Sequence, residues 1–232
     1  GILVTNDIEI YERAMAFGHY ERYKGSFETE ALNATCGLPL GGYKYRMNQM
    51  CSALGRVQLK YYGERIQNIQ DSMNRFWDLL EGVPGIMAHR PAKDSGSTMG
   101  GWYNPKGLYD ASQLNGLSIT TYAAAVRAEG SSCTAGMNKP LHMHPLLNTC
   151  DVYGHGKPTR LAHTDRDIRQ PEGSLPVSES IEFHTFNVPW FKHDRPELIE
   201  QHALAYRKVA ERADDLLKQD QGDPPEMGKW MV

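Results

Sequence analysis

Apolar residues recur along this chain with two different periods, and the changes of period mark out its elements. Gly1 to Thr5 opens with an apolar, β-branched run that reads as a buried strand. A core strand needs neighbours on both sides, so the run implies that part of the fold lies upstream of Gly1. Asn6 is placed to cap a helix, with Glu9 completing a capping-box pattern. Ile10, Ala14 and Phe17 give that helix one apolar face, and Gly18 supplies a stop. His19 to Leu40 has no clear period and reads as an exposed loop. From about Asn48 to Leu80 the pattern predicts one long helix. Met50, Leu54, Val57 and Tyr61 form its first stripe, and Ile66, Ile69, Met73, Phe76 and Leu80 continue it. The phase changes near Gly63, where a bend or break is expected. At 1.5 Å per residue, roughly 30 residues reach about 45 Å, long enough to join two domains.

Beyond Gly82 the texture is α+β. Gly85 to His89, Gly101 to Tyr103, Met137 to His142 and Ile181 to Val188 read as strands. Ser118 to Glu129 is an alanine-rich helix ended by Gly130. Asp151 to Pro176 reads mostly as loop. The last helix starts after Asp194 with Pro196 in its first turn, and Ile199, His202, Tyr206, Val209, Ala213 and Leu216 form its stripe. The tail from Gln219, with two prolines, is expected to fray.

Composition narrows the function classes. A 40% apolar and 23% charged chain of 232 residues suits an ordinary globular protein of one large or two small domains. The net charge of -3 offers no electrostatic case for nucleic acid or an anionic membrane. No apolar run approaches the roughly 20 residues of a bilayer span, and no signal segment leads the chain, so a cytoplasmic setting is expected. Cys36, Cys51, Cys133 and Cys150 are scattered without a C-x-x-C pair, which argues for free thiols.

The most distinctive stretch runs from Gly41-Gly42-Tyr43-Lys44-Tyr45-Arg46-Met47 into Ser52-Ala53-Leu54-Gly55-Arg56-Val57-Gln58-Leu59. An aromatic-x-aromatic-Arg-Met turn opening such a helix resembles the DegT/StrS family of sugar aminotransferases. The opening Gly1 to Asp7 is similar to the family's segment just after the cofactor lysine. Ala128-Glu129-Gly130 followed by Lys139-Pro140-Leu141-His142 is similar to its substrate-side segment.

The resemblance implies an α/β, fold-type-I aminotransferase. Residues 1–60 would be the C-terminal remnant of the large domain that binds pyridoxal phosphate, and 61–232 the small α+β domain. It also implies a homodimer with a shared active site. The reaction implied is transfer of an amino group from glutamate or glutamine to a keto-sugar, often nucleotide-linked, or a keto-cyclitol. The Schiff-base lysine would lie shortly before Gly1, outside this chain. A sugar 3-dehydratase of the same family, with histidine in place of that lysine, is the alternative within enzymes. A non-catalytic fragment or binding module is the alternative outside them.

By the same resemblance, Gly42 and Lys44 belong to a loop that meets the phosphate of the neighbouring subunit's cofactor. Glycines let backbone approach an anion, and Lys44 adds charge where the family more often has Asn. A solvated surface lysine is the plainer account. Tyr43 would face the sugar. Arg46 would bind substrate or, equally, pair with a carboxylate at the helix entry. His142 would contact substrate, with a structural histidine as the alternative. His142 and His144 form an H-x-H pair that would share a strand face, yet no third ligand follows at a telling spacing, and no metal site is assigned. Trp102 and Tyr103 are sugar-pocket candidates, with core packing favoured for Trp102, and Asn104 is a candidate hydroxyl partner.

Overall fold

The computed structural model describes residues 2–19, 27–33, 45, 47–149, 167 and 169–228. The chain divides into two compact units, Gly1–Tyr62 and Gly63–Val232.

The first unit is built from short helices. Helix α1 (Ile8–His19) starts at Asp7, whose Oδ1 accepts from the Glu9 and Ile10 amides at 2.9 and 3.1 Å. The cap is therefore Asp7 rather than Asn6; both residue types suit the position, and the one nearer the first free amides takes it. Residues 2–5 form no strand, and Ile2, Leu3 and Val4 are exposed. Apolar, β-branched character creates a strand only beside an edge that pairs with it. Part of the expected 19–40 loop is ordered by a buried acid: the Glu12 carboxylate accepts from the Glu28 amide (2.5 Å) and the Thr29 amide (2.8 Å). Helix α2 (Glu30–Asn33) follows, and Ala16, Phe27 and Leu32 pack together. Helix α3 (Gln49–Lys60) is capped by Asn48, whose side chain accepts from the Met50 amide at 2.8 Å. It buries no residue within the described structure.

The predicted long helix is two helices. Tyr61 ends α3, and α4 (Tyr62–Leu79) begins directly after, so the break falls just before Gly63. In the second unit α4 buries Ile69, Met73, Phe76 and Trp77. Four antiparallel strands form one sheet in the order β1-β2-β4-β3: β1 (Ile86–Ala88), β2 (Lys106–Tyr109), β3 (Thr134–Ala135) and β4 (Thr185–Asn187). Gly107 of β2 lies opposite Phe186 of β4, and a Cβ there would come within 2.7 Å of the rings of both Phe186 and Trp77. Helix α5 (Ile119–Ala128), the short helices α6 (Pro145–Asn148) and α7 (Pro176–Ser180), then α8 (Pro196–Glu211) and α9 (Ala213–Leu217) complete the unit. Phe76 of α4, Tyr122 of α5, Phe186 of β4 and Tyr206 of α8 join one aromatic cluster, with ring centroids 5.4–6.3 Å apart along its contacts. The Tyr122 and Tyr206 hydroxyls donate to the carbonyls of Tyr206 and Ser132, so burial leaves neither unsatisfied.

Three strand expectations need correcting. Residues 101–103 form a turn, not a strand, and pairing starts only after Pro105. Trp102 (φ 52°) and Asn104 (φ 50°) are left-handed there, a conformation Asn tolerates and Trp rarely adopts. Residues 141–143 are a 3-10 turn; the sheet strand ends at Ala135, and within 137–142 only Asn138 makes an isolated bridge. Residues 181–183 are likewise a 3-10 turn, leaving only 185–187 in the sheet.

The described part of the tail, up to Gly228, does not fray. Asp220 accepts from the Ser118 amide (2.9 Å), the Ser118 hydroxyl (2.5 Å) and the Thr121 hydroxyl (2.6 Å), while Asp223 accepts from the Thr120 amide (2.9 Å). Both acids thus meet the free amides at the start of α5, where negative charge is favoured. Further on, buried Glu182 accepts from the Met227 amide (2.9 Å) and the Gly228 amide, and Lys139 pairs with Glu226 at 2.6 Å. Prolines lower the helical tendency of this tail without preventing it from being tied down by side chains.

Candidate functional site

Two places carry the predicted site residues, one in each unit. In the first unit, Gly42, Tyr43, Lys44 and Arg46 lie outside the described residues. What is described is the frame of their turn. The Tyr45 amide donates to the Gly18 carbonyl at 3.1 Å, and its ring stands 6.4 Å from that of Phe17. Asn48 then caps α3. Tyr45 is therefore pinned to the end of α1, and α3 opens at a fixed point three residues later.

In the second unit, His142 sits in the 3-10 turn Leu141–Met143, stiffened on its entry side by Pro140. Its Nε2 lies 3.0 Å from Glu179 Oε1, and its carbonyl accepts from Asn148 Nδ2. The two side chains are 12% and 16% exposed, so water competes little for the contact. Glu179 also accepts from the amides of Gly173 (2.7 Å) and Leu175 (3.0 Å). These donors, first Leu175 and then Gly173, hold its carboxyl below the ordinary glutamate range, with His142 adding to the effect. Glu179 is the residue the sequence does not announce. It lies 37 positions from His142. Its only local signal is an acid reaching back to the backbone at the start of a short helix, a relative of the capping box shifted by one position.

The aromatic candidates separate. Trp102 is 1% exposed, and its Nε1 donates to Gln70 Oε1 at 3.0 Å, which makes it a core residue. Tyr103 is 90% exposed and meets Trp190 edge-on at 6.5 Å. Gln70 and Trp102 also border a pocket of about 440 Å³ with Asn74, Asp78, Arg90 and Lys93. Arg90 and Lys93 both pair with Asp78 there, at 2.7 and 3.0 Å, so two cations share one carboxylate. Among the described residues no group of three metal-ligating side chains converges, and no helix is long and apolar enough to cross a membrane.

The model of the DegT/DnrJ/EryC1/StrS aminotransferase family matches residues 1–187. A comparison with curated proteins gives no match. Among solved structures, the chain is similar to S. venezuelae DesV in complex with a ketimine intermediate, at 23% identity and TM-score 0.60, covering 90% of this chain and 46% of that one. It is similar to an aminotransferase from Psychrobacter cryohalolentis at 16% identity and TM-score 0.63, covering 91% and 51%. It is also similar to Spr1654 from Streptococcus pneumoniae, solved in forms that include one with pyridoxal phosphate, at 15% identity and TM-score 0.54, covering 92% and 46%. The chain spans about half the length of these structures. The likeness shows a fold-type-I architecture, of which helices and sheet here make up that half.

Proposed function

The chain belongs to the DegT/DnrJ/EryC1/StrS aminotransferase family, and on that premise we propose that it forms part of an enzyme moving an amino group from glutamate or glutamine to a keto-sugar, often nucleotide-linked, or a keto-cyclitol. The family's cofactor is pyridoxal phosphate. When bound, it supplies an electron sink for the carbon that loses or gains the amine. In this reading residues 1–60 complete the large domain, 61–232 form the small one, and two copies share each active site. The lysine that anchors the cofactor belongs to a segment outside these residues.

The chain's own residues bind and orient. Gly42 brings backbone close to the phosphate of the neighbouring subunit's cofactor, and Lys44 adds a point charge. The pinned Tyr45 and the capped start of α3 support this reading, because they anchor the chain directly after Lys44 and again at Asn48. Tyr43 and Arg46 face the acceptor substrate from the same turn, and His142 contacts it from the small domain. The observation that carries the proposal is the extent of the family match, since residues 1–187 take in the opening segment, the turn and the His142 segment together.

The test uses the intact enzyme loaded with pyridoxal phosphate. Glutamate or glutamine is expected to change the cofactor's near-ultraviolet and visible absorbance, and a keto-sugar or keto-cyclitol to restore it. An absorbance that no amino donor alters would remove the aminotransferase reading.

A further inference from the structure

A carboxylate can only accept hydrogen bonds, and Glu179 is surrounded by groups that can give them. Oε2 takes the Gly173 amide, and Oε1 takes the Leu175 amide and faces His142 Nε2. The two backbone donors alone would suffice to tie residues 173–175 to α7. The imidazole occupies a further lone-pair direction, and that contact has a consequence for His142 that a loop brace does not need.

The carboxyl stays ionised at neutral pH, because its backbone donors favour the charged form. An ionised acceptor facing Nε2 requires a proton on Nε2. A neutral imidazole has one such proton, so Nδ1 is left bare and can only accept. No hydrogen bond to Nδ1 occurs among the described residues. The main chain of His142 is fixed as well, by the 3-10 turn and by Asn148 on its carbonyl. Ring and backbone are thereby held from separate sides.

Resting on the reading of His142 as a substrate contact, we propose that Glu179 is a positioning residue that holds the neutral His142 ring in the Nε2-protonated form and leaves Nδ1 as the acceptor. The substrate feature that suits this edge is a hydroxyl donor of the sugar or cyclitol ring, not its keto oxygen. A ring offering a bare nitrogen would repel a carbonyl lone pair and accept from a neighbouring hydroxyl. His142 then recognises the polyol, and the keto group is left to other contacts.

The experiment is nitrogen NMR on the holoenzyme labelled with 15N-histidine, at a pH where the ring is neutral, with the His142 signals identified by their loss in His142→Gln. Nε2 is expected to be protonated and Nδ1 bare. Glu179→Gln has one acceptor oxygen and an amide group that donates, so it cannot satisfy Gly173, Leu175 and His142 together. That variant is expected to show mixed tautomers and a KM for the keto substrate raised by about tenfold, with kcat changed much less. A wild-type ring protonated on Nδ1 overturns the proposal without any variant having to fold. So does a Glu179→Gln enzyme with the same single tautomer and an unaltered KM. The two failures separate: the expected wild-type tautomer with kinetically silent His142→Gln overturns the placing of His142 at the substrate, and leaves the hold of Glu179 on the ring in place.

Discussion

Helices α3 and α4 carry nearly the same apolar pattern and meet opposite fates. Met50, Leu54 and Val57 of α3 are 80%, 59% and 50% exposed, while Ile69, Met73 and Phe76 of α4 are 9%, 0% and 0% exposed. Spacing of three and four produces an apolar face in both. What differs is the partner: α4 is met by Phe186, Phe191 and Tyr206, whereas no described residue of the first unit buries α3. Periodicity therefore identifies a face to be covered, and tertiary contact alone says which face carries the stability.

That contrast can be broken or sharpened by substitution, followed by chemical denaturation. Phe76→Ala should have the largest effect, a loss of about 3–5 kcal/mol, since it opens a cavity among three aromatic rings. Gly107→Ala tests the same core by overfilling it, and the crowding against Phe186 and Trp77 should cost about 1–3 kcal/mol. Asp220→Asn should cost about 0.5–2 kcal/mol through lost capping of α5. That loss carries a pH signature. Partial burial of Asp220 works to raise its pKa, but its donors Ser118, Thr121 and Gly222 outweigh this and bring it from 3.8 to about 2. Because the folded value is the lower one, the stabilisation is complete above pH 3.8 and disappears as pH falls towards 2. The gap between wild type and Asp220→Asn should close over that window in acid denaturation curves. Leu54→Ala should have the smallest effect, within about 0.5 kcal/mol, as an exposed position demands. A Leu54→Ala cost approaching that of Phe76→Ala would mean α3 is covered in solution and would erase the contrast.

The same distinction explains what could be read beforehand. Helices with long stripes, or with Ser118 or Pro196 at their starts, were legible because capping and period are local properties. Short strands were poorly legible. Two of the expected strands, 137–142 and 181–188, become 3-10 turns over 141–143 and 181–183, and of the second only 185–187 stays in the sheet, because three or four residues cannot specify a register without their neighbours. Trp102 shows the point at one residue: its aromatic character fits a strand, yet Gly100-Gly101 before it and Asn104-Pro105 after it make a turn, and its ring is drawn into the core. At the candidate site, His142 was visible as a motif residue. Glu179 was not, because its partnership depends on how two distant turns fold against each other. Asp220 and Asp223 were hidden for a similar reason, in a tail whose prolines advertised only looseness.

The clasp made by that tail also imposes an order of events during synthesis. Ser118 precedes Asp220 by 102 positions and Glu182 precedes Gly228 by 46, so on a ribosome both emerge well before the groups that complete them. Helix α5 meets its acidic neighbours late, and Lys139, just ahead of His142, waits for Glu226. A stalled chain ending before this stretch would lack the ties that Asp220, Asp223 and Glu226 make to residues 118–121 and 139.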